Sequence, residues 1–219
     1  MQRAGTAPRP LPRGPHNLTR DDVLASQRQR MIDAMAEVVA DKGYAGTTVG
    51  DVVAGAGVSR KTFYEHFHDK EDCFLAAFDS GVEALLEAIA AAKPDQPTRM
   101  SLVRARVRAY LVTLAARPAF ARAFLIEVFA AGPRALERRQ RVLMRFEQFL
   151  STLHAEARRE FAGLKPVNDT VWVAAVGALN EVVSQHVRQG RAAQLPELED
   201  QLVEIQAALL GVPRDGAGV

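Results

Sequence analysis

Two helix caps with a glycine between them constrain this chain more than any other feature: Thr48, Gly57 and Ser59. Thr48-Val49-Gly50-Asp51 has the spacing of a capping box, in which the first and last side chains each satisfy the other's free backbone N–H. Gly57 turns the chain, and Ser59 caps a second short helix that runs through Phe67. Two helices of one to two turns cannot bury a core alone. They need the long helix before them, from about residue 19 or 21 to Lys42, where Gly43 stops it. They also need the start of the helix after them, which Asp69 caps, with Glu71 and Asp72 in its first turn where negative charge suits the helix dipole. Val49, Val52, Val58, Phe63 and Phe67 supply the apolar side of this small bundle. Arg60, Lys61 and Tyr64 share the opposite face at i, i+1 and i+4 spacing.

The rest of the chain reads as further helices, giving an all-α fold. Sustained alternation and Asn-Gly or Asp-Gly hairpin signals are missing. Lys93-Pro94-Asp95-Gln96-Pro97 breaks the pattern, and about five helices follow: 98–116, 118–130, 133–161, 167–189 and 197–210. The expected organisation is a basic arm over 1–19, a helix-turn-helix head over 20–68, a connecting helix over 69–93, a helical bundle over 98–211 and a short tail over 212–219. The arm carries four prolines with Arg3, Arg9 and Arg13, and reads as disordered. It is either a solvated tail or a segment that adds phosphate or minor-groove contacts.

Composition sets limits on function. With 219 residues, 48% hydrophobic and 25% charged, the chain can bury a proper core. A net charge of +2 is nearly balanced, so a case for nucleic acid must rest on local charge. The lone Cys73 excludes an internal disulfide. No secretory pattern is visible, and the longest apolar run, Val171 to Leu179, falls short of the ~20 residues a membrane span needs. The expectation is a cytoplasmic protein without membrane contact.

A short helix with Arg, Lys, Thr and Tyr toward its N-terminal end suits a major groove about 12 Å wide, where first-turn side chains touch base edges. The pattern Thr47-Thr48-Val49, Asp51, Ala56-Gly57-Val58-Ser59, Thr62-Phe63-Tyr64, His66-Phe67 and Lys70-Glu71, preceded by Gly43-Tyr44, resembles the signature of the tetracycline-repressor (TetR) family over about residues 28–78. The resemblance implies roles. Thr48 would contact a phosphate from the start of the second helix. Arg60, Lys61 and Thr62, following the cap Ser59, would lie in the major groove. Tyr64 and His66 would touch phosphates, and Lys70 would clamp the DNA backbone. Gly50 and Gly55 depart from a good helix, each at a cost of about 0.8–1 kcal/mol relative to Ala in a helix interior.

In the bundle, Phe124, Phe146, Phe149 and Trp172 lie among small residues that leave room for a cavity, with Asn180 as its polar end. The alternatives are ordinary core aromatics and a satisfied polar residue. Trp172, Val176, Leu179, Val183 and His186 form one stripe; Leu195, Leu198, Leu202, Ile205 and Leu209 form another. Such stripes face either their own core or a second copy in a four-helix interface. His66, His68 and Cys73 do not have zinc spacing, and His154 and His186 stand alone. No metal or cofactor is expected. Phosphate loops and arranged nucleophiles are missing, so an enzyme is not expected. The reading is a sequence-specific, homodimeric DNA-binding regulator on a palindromic operator, dimerising through its last two helices and acting as a repressor released by a small apolar or amphipathic ligand. The alternatives are an activator, or a helical scaffold whose helix-turn-helix reads no DNA.

Overall fold

The computed structural model describes residues 19–94, 98–160 and 163–212. The arm, residues 1–18, and the tail beyond residue 212 lie outside them. Nine α-helices occur among the described residues, with no strand: α1 (Arg20–Gly46), α2 (Val49–Ala56), α3 (Arg60–His66), α4 (Lys70–Ala91), α5 (Arg99–Ala116), α6 (Pro118–Leu125), α7 (Pro133–Glu160), α8 (Asp169–Arg188) and α9 (Glu199–Leu209). The fold is all-α, as the sequence predicts. None of these helices is long and apolar enough to cross a membrane.

The caps act where the spacing places them. Thr48 accepts from Asp51 N–H and Asp51 accepts from the Thr48 backbone, closing the box. Ser59 and Asp69 cap α3 and α4 in turn. Gly43, at φ 72°, breaks the regular part of α1, and Gly57 sits in the left-handed region at φ 62° to turn α2 into α3. Two short 3-10 helices were not expected. Glu127–Ala130 follows α6, and Ala192–Leu198 runs into α9. The second holds Pro196, which cannot donate a backbone hydrogen bond and so does not extend α9 backwards.

One core runs through the molecule. Met31, Met35 and Val39 of α1, Val52 of α2 and Phe63 of α3 join Phe74, Phe78 and Leu85 of α4, then Leu111, Phe124 and Val142, and finally Val183, Leu195 and Leu202. The head therefore has no core separate from the bundle. Helix α4 is shared: it packs on α1 on one side and on α5 and α7 on the other. Its acidic edge faces arginines of α7. Arg134 meets Glu71 and Asp72, Arg138 meets Asp79 at 3.4 Å, and Arg145 meets Glu83 at 2.8 Å.

A second, smaller cluster lies at the far end around Ala157, Leu164, Trp172, Ala207 and Leu210. The stripes proposed for dimerisation mostly face inward. Trp172, Val176, Val183, Leu195, Leu198 and Leu202 are buried within the chain, and Ile205 alone of the two stripes is exposed. The outward face of α8 is a different one, carrying Val173, Ala174 and Gly177. Its position is set by the period of the helix: residues one or two places off the buried stripe point away from it.

Candidate nucleic-acid interface and ligand cavity

Helix α3 divides cleanly. Phe63 is fully buried and Phe67, just past its end, nearly so, while Arg60 and Lys61 are exposed and Tyr64 is 59% exposed. The Tyr64 ring meets Phe63 edge-on at 5.4 Å, so its position is tied to the core although its hydroxyl is free to face outward. Ser59 and Thr62 bond each other and the first turn of α3, fixing its N-terminal end. Thr48 is exposed at the start of α2, with its hydroxyl on Asp51 at 2.7 Å. Asp51 is itself paired with Lys42 at 2.6 Å. Those bonds from Lys42 and Thr48 hold the Asp51 carboxyl down at about 2.

The two glycines of α2 have packing roles. A Cβ at Gly55 would stand 3.2 Å from that of Ala34, so the missing side chain lets α2 approach α1 closely. A Cβ at Gly50 would stand 3.3 Å from Arg60 Nη2, so the Arg60 guanidinium lies back over the first turn of α2. The helix that its composition marks as weak is held from outside. Arg30 donates to the carbonyl of Ala56 at 2.7 Å, closing the C-terminal end of α2.

Two positions differ from the picture the resemblance implies. Lys70 is turned inward: Nζ donates to the carbonyls of Tyr44 and Thr47, both at 2.9 Å, and lies 4.2 Å from the Tyr44 ring centre. It thus staples the α1–α2 corner rather than standing free. His66 is half-buried, and its Nε2 is shut off from solvent without a partner. Of the possible metal ligands, His68, Asp69 and Asp72 come together. Both carboxylates are already engaged, Asp69 as the α4 cap and Asp72 with Arg134 and the His68 N–H. Cys73 is fully buried, and burial pushes its thiol up to about 12, which leaves it unreactive.

The bundle holds a cavity of about 100 Å³, partly open to solvent, lined by residues of α4, α5, α6, α7, α8 and α9. Phe124, Phe146, Phe149 and Asn180 line it, as the sequence predicts. Trp172 does not. It packs edge-on against His154, which does line the cavity, with ring centres 5.3 Å apart. The reason is its place in the first turn of α8, beside the C-terminal half of α7 and Leu164. His154 bonds the Lys165 carbonyl at 3.1 Å, and His186 bonds that of Val182 at 3.0 Å, so both histidines are satisfied within the fold. The sequence reading missed four polar members of the cavity wall: Arg106, Tyr110, His154 and Gln206. For the two on α5 the signal was available, since Arg106 sits three residues after Val103 and four before Tyr110, inside an apolar helical stripe.

A continuous set of contacts links cavity and head. Phe124 lies 5.2 Å from Phe78, Phe78 lies 6.5 Å from Phe74, and Phe74 meets Tyr44 at 5.0 Å. Tyr44 carries the Lys70 ammonium over its ring, and its N–H donates to buried Glu127 at 2.9 Å. Arg122 pairs with Glu127 at 3.0 Å. The residues that position Thr47 and Thr48 are thus one short chain of packed rings away from the cavity wall.

Residues 31–77 match the family model described as bacterial regulatory proteins, tetR family. The N-terminal domain belongs to the tetR family. Among curated proteins, the chain is 29% identical over 95 residues to the transcriptional activator FasR of Mycolicibacterium smegmatis, covering 43% of this chain and 42% of that protein. It is 33% identical over 67 residues to the transcriptional repressor AcnR of Corynebacterium diphtheriae, covering 31% and 35%. The matched stretches span less than half the length of these relatives. The fold extends further than the sequence similarity. The fatty acid degradation regulator FadR from Bacillus halodurans superposes with a TM-score of 0.73 at 23% identity, covering 86% of this chain and 96% of that one. FadR from Bacillus subtilis, solved in complex with stearoyl-CoA, gives 0.69 at 20% identity, covering 85% and 99%. The tetR-type head and the helical bundle are thus found together in solved regulators.

Proposed function

We propose that the chain is a homodimeric, sequence-specific transcriptional regulator whose DNA affinity is set by an amphipathic ligand in the bundle cavity. The observation that carries the reading is the division of α3: Phe63 anchors it while Arg60, Lys61 and Tyr64 face solvent. In a major groove, Arg60 or Lys61 reaches guanine O6 and N7, with Thr62 beside them. Thr48, Ser59 and Tyr64 hold phosphates that set the register. The outward edge of His66 adds to these, and Lys70 contributes by fixing the α1–α2 corner that presents Thr48.

One short helix makes few base contacts, so the head works in pairs. Two-fold symmetry places two copies of α3 about 34–36 Å apart on an inverted repeat. The outward face of α8 suits that pairing: Val173 is 56% exposed, and nothing lies within 4 Å of where a Gly177 side chain would begin. The ligand acts by preferring one spacing of the heads over another. Repression relieved by the ligand is the mode proposed, AcnR being a repressor; activation is the alternative, FasR being an activator.

The test is selection from a random duplex pool at near-physiological salt. An inverted repeat is the expected product. Recovery without sequence preference, with binding that vanishes steeply as salt rises, would overturn the reading.

A further inference from the structure

We propose that the bundle cavity takes a small uncharged hydroxyl compound and that Tyr110 recognises its oxygen; this rests on the ligand-responsive reading above. At about 100 Å³ the cavity is somewhat smaller than the roughly 150 Å³ that holds one benzene ring. Its occupant is therefore about the size of a single ring, with any remainder at the opening. Most of the wall is hydrocarbon, with Val107, Leu143, Phe146 and Leu150 among its members, so most of the occupant is hydrocarbon too. Polar groups decide the rest. Tyr110 is 7% exposed, lines the cavity and makes no hydrogen bond among the described residues. Burial pushes its phenol up, so it stays protonated and donates. Its oxygen is not walled off on every side, and the open side faces the cavity.

Gln206 supplies the complement. It is 3% exposed and comes from α9, which packs on both α5 and α8. Its amide N–H is spent on the carbonyl of Ala175 at 2.8 Å. Its Oε1 accepts from no group among the described residues, and it too is not walled off. His154, a neutral ring donating to the Lys165 carbonyl, offers only a further acceptor. The buried groups left for a ligand are thus an O–H donor and neutral acceptors. A hydroxyl satisfies both kinds, because one oxygen accepts and donates. A carboxylate does not: it would be stripped of water against the Gln206 oxygen with no charge to pair it. Arg106 does not supply that charge, since it is half-exposed, and Asn180 is only half-buried; both keep water as a partner. They accommodate a polar substituent near the opening without requiring one.

The experiment titrates phenol, toluene, benzoate and decanol into the full-length protein by calorimetry, with and without the duplex recovered by selection. Phenol and toluene are nearly the same shape and differ in the hydroxyl. The wild type is expected to bind phenol about fivefold to a hundredfold more tightly than toluene, the range of one buried hydrogen bond. Tyr110→Phe should weaken phenol by at least about fivefold and leave toluene unchanged, which also shows that the cavity is intact. Arg106→Met should leave phenol unchanged. Benzoate should bind more weakly than phenol, and so should decanol, which is too long to be enclosed. Equal binding of phenol and toluene, or phenol binding lost in Arg106→Met and kept in Tyr110→Phe, would overturn the role of Tyr110. Benzoate bound more tightly than phenol would overturn the uncharged class, and decanol bound more tightly would overturn the size. In each of those cases a ligand still occupies the cavity and the ligand-responsive reading survives. No binding by any of the four would overturn the site. Phenol binding as expected, with duplex affinity unchanged at saturation, would instead overturn the ligand-responsive reading and leave the site standing.

Discussion

In the head, Arg60, Lys61 and Tyr64 stand outside and Phe63 and Phe67 inside; in the bundle, Arg106, Tyr110 and Gln206 point in toward apolar neighbours. The head obeys the ordinary partition of side chains, and the polar groups left outside are what it offers to a partner as large as DNA. The bundle breaks that partition around an empty volume, and its inward polar groups suit a partner small enough to be enclosed. One helix, α4, and one ring path, Phe124 to Tyr44, join the two. Opposite placement of polar groups thus separates two binding tasks along the main core that head and bundle share.

The largest effect should come from Phe63→Ala. Emptying a fully buried aromatic site costs about 3–5 kcal/mol. Because the core is continuous, denaturant unfolding followed by far-UV circular dichroism and by Trp172 fluorescence should move together. Two separate transitions would show that head and bundle fold independently, and the account of a shared core would fail.

Glu127→Ala probes the junction. It leaves the buried Tyr44 N–H unpaired, at about 1–3 kcal/mol. Stability should fall, and the ligand's effect on DNA affinity should shrink. An unchanged ligand effect would place the coupling elsewhere.

Arg60→Ala and Lys61→Ala act on the outside of the head alone. Each base-reading contact is worth about 1–3 kcal/mol of DNA affinity, while exposed substitutions shift stability by no more than about 0.5 kcal/mol. A loss of stability matching the loss of affinity would mean that α3 is structural.

Thr48→Ala should cost about 1 kcal/mol through the lost cap of α2. The same cap gives a small pH signature. The folded-state carboxyl of Asp51 is held at about 2, below its unfolded value of about 3.9. Its contribution is therefore complete above pH 4 and is lost as pH falls from about 4 toward about 2. Asp51→Asn should flatten the acid limb of the stability profile in that window.

Much of the head was legible because it is built from local rules. Capping spacing located Thr48, Ser59 and Asp69, and helical period separated Phe63 from Arg60 and Lys61. The glycines of α2 were legible only as a weakness, since their purpose lies in Ala34 and in the Arg60 guanidinium, which come near only after folding. The inward turn of Lys70 was hidden for a similar reason: nothing local shows that the carbonyls of Tyr44 and Thr47 converge on it. In the bundle, periodicity found four lining residues but put Trp172 in the wall, because it says which face is buried and not which neighbour covers it. The dimer stripes show the same limit, since an apolar stripe looks alike whether its partner is its own chain or another.

The most direct test of base reading by α3 is a second duplex selection with Lys61→Ala. The account predicts the same inverted repeat with base preference relaxed at one position in each half-site, symmetrically, and the rest of the motif kept. An identical motif from the variant and the wild type, at every position, would contradict it.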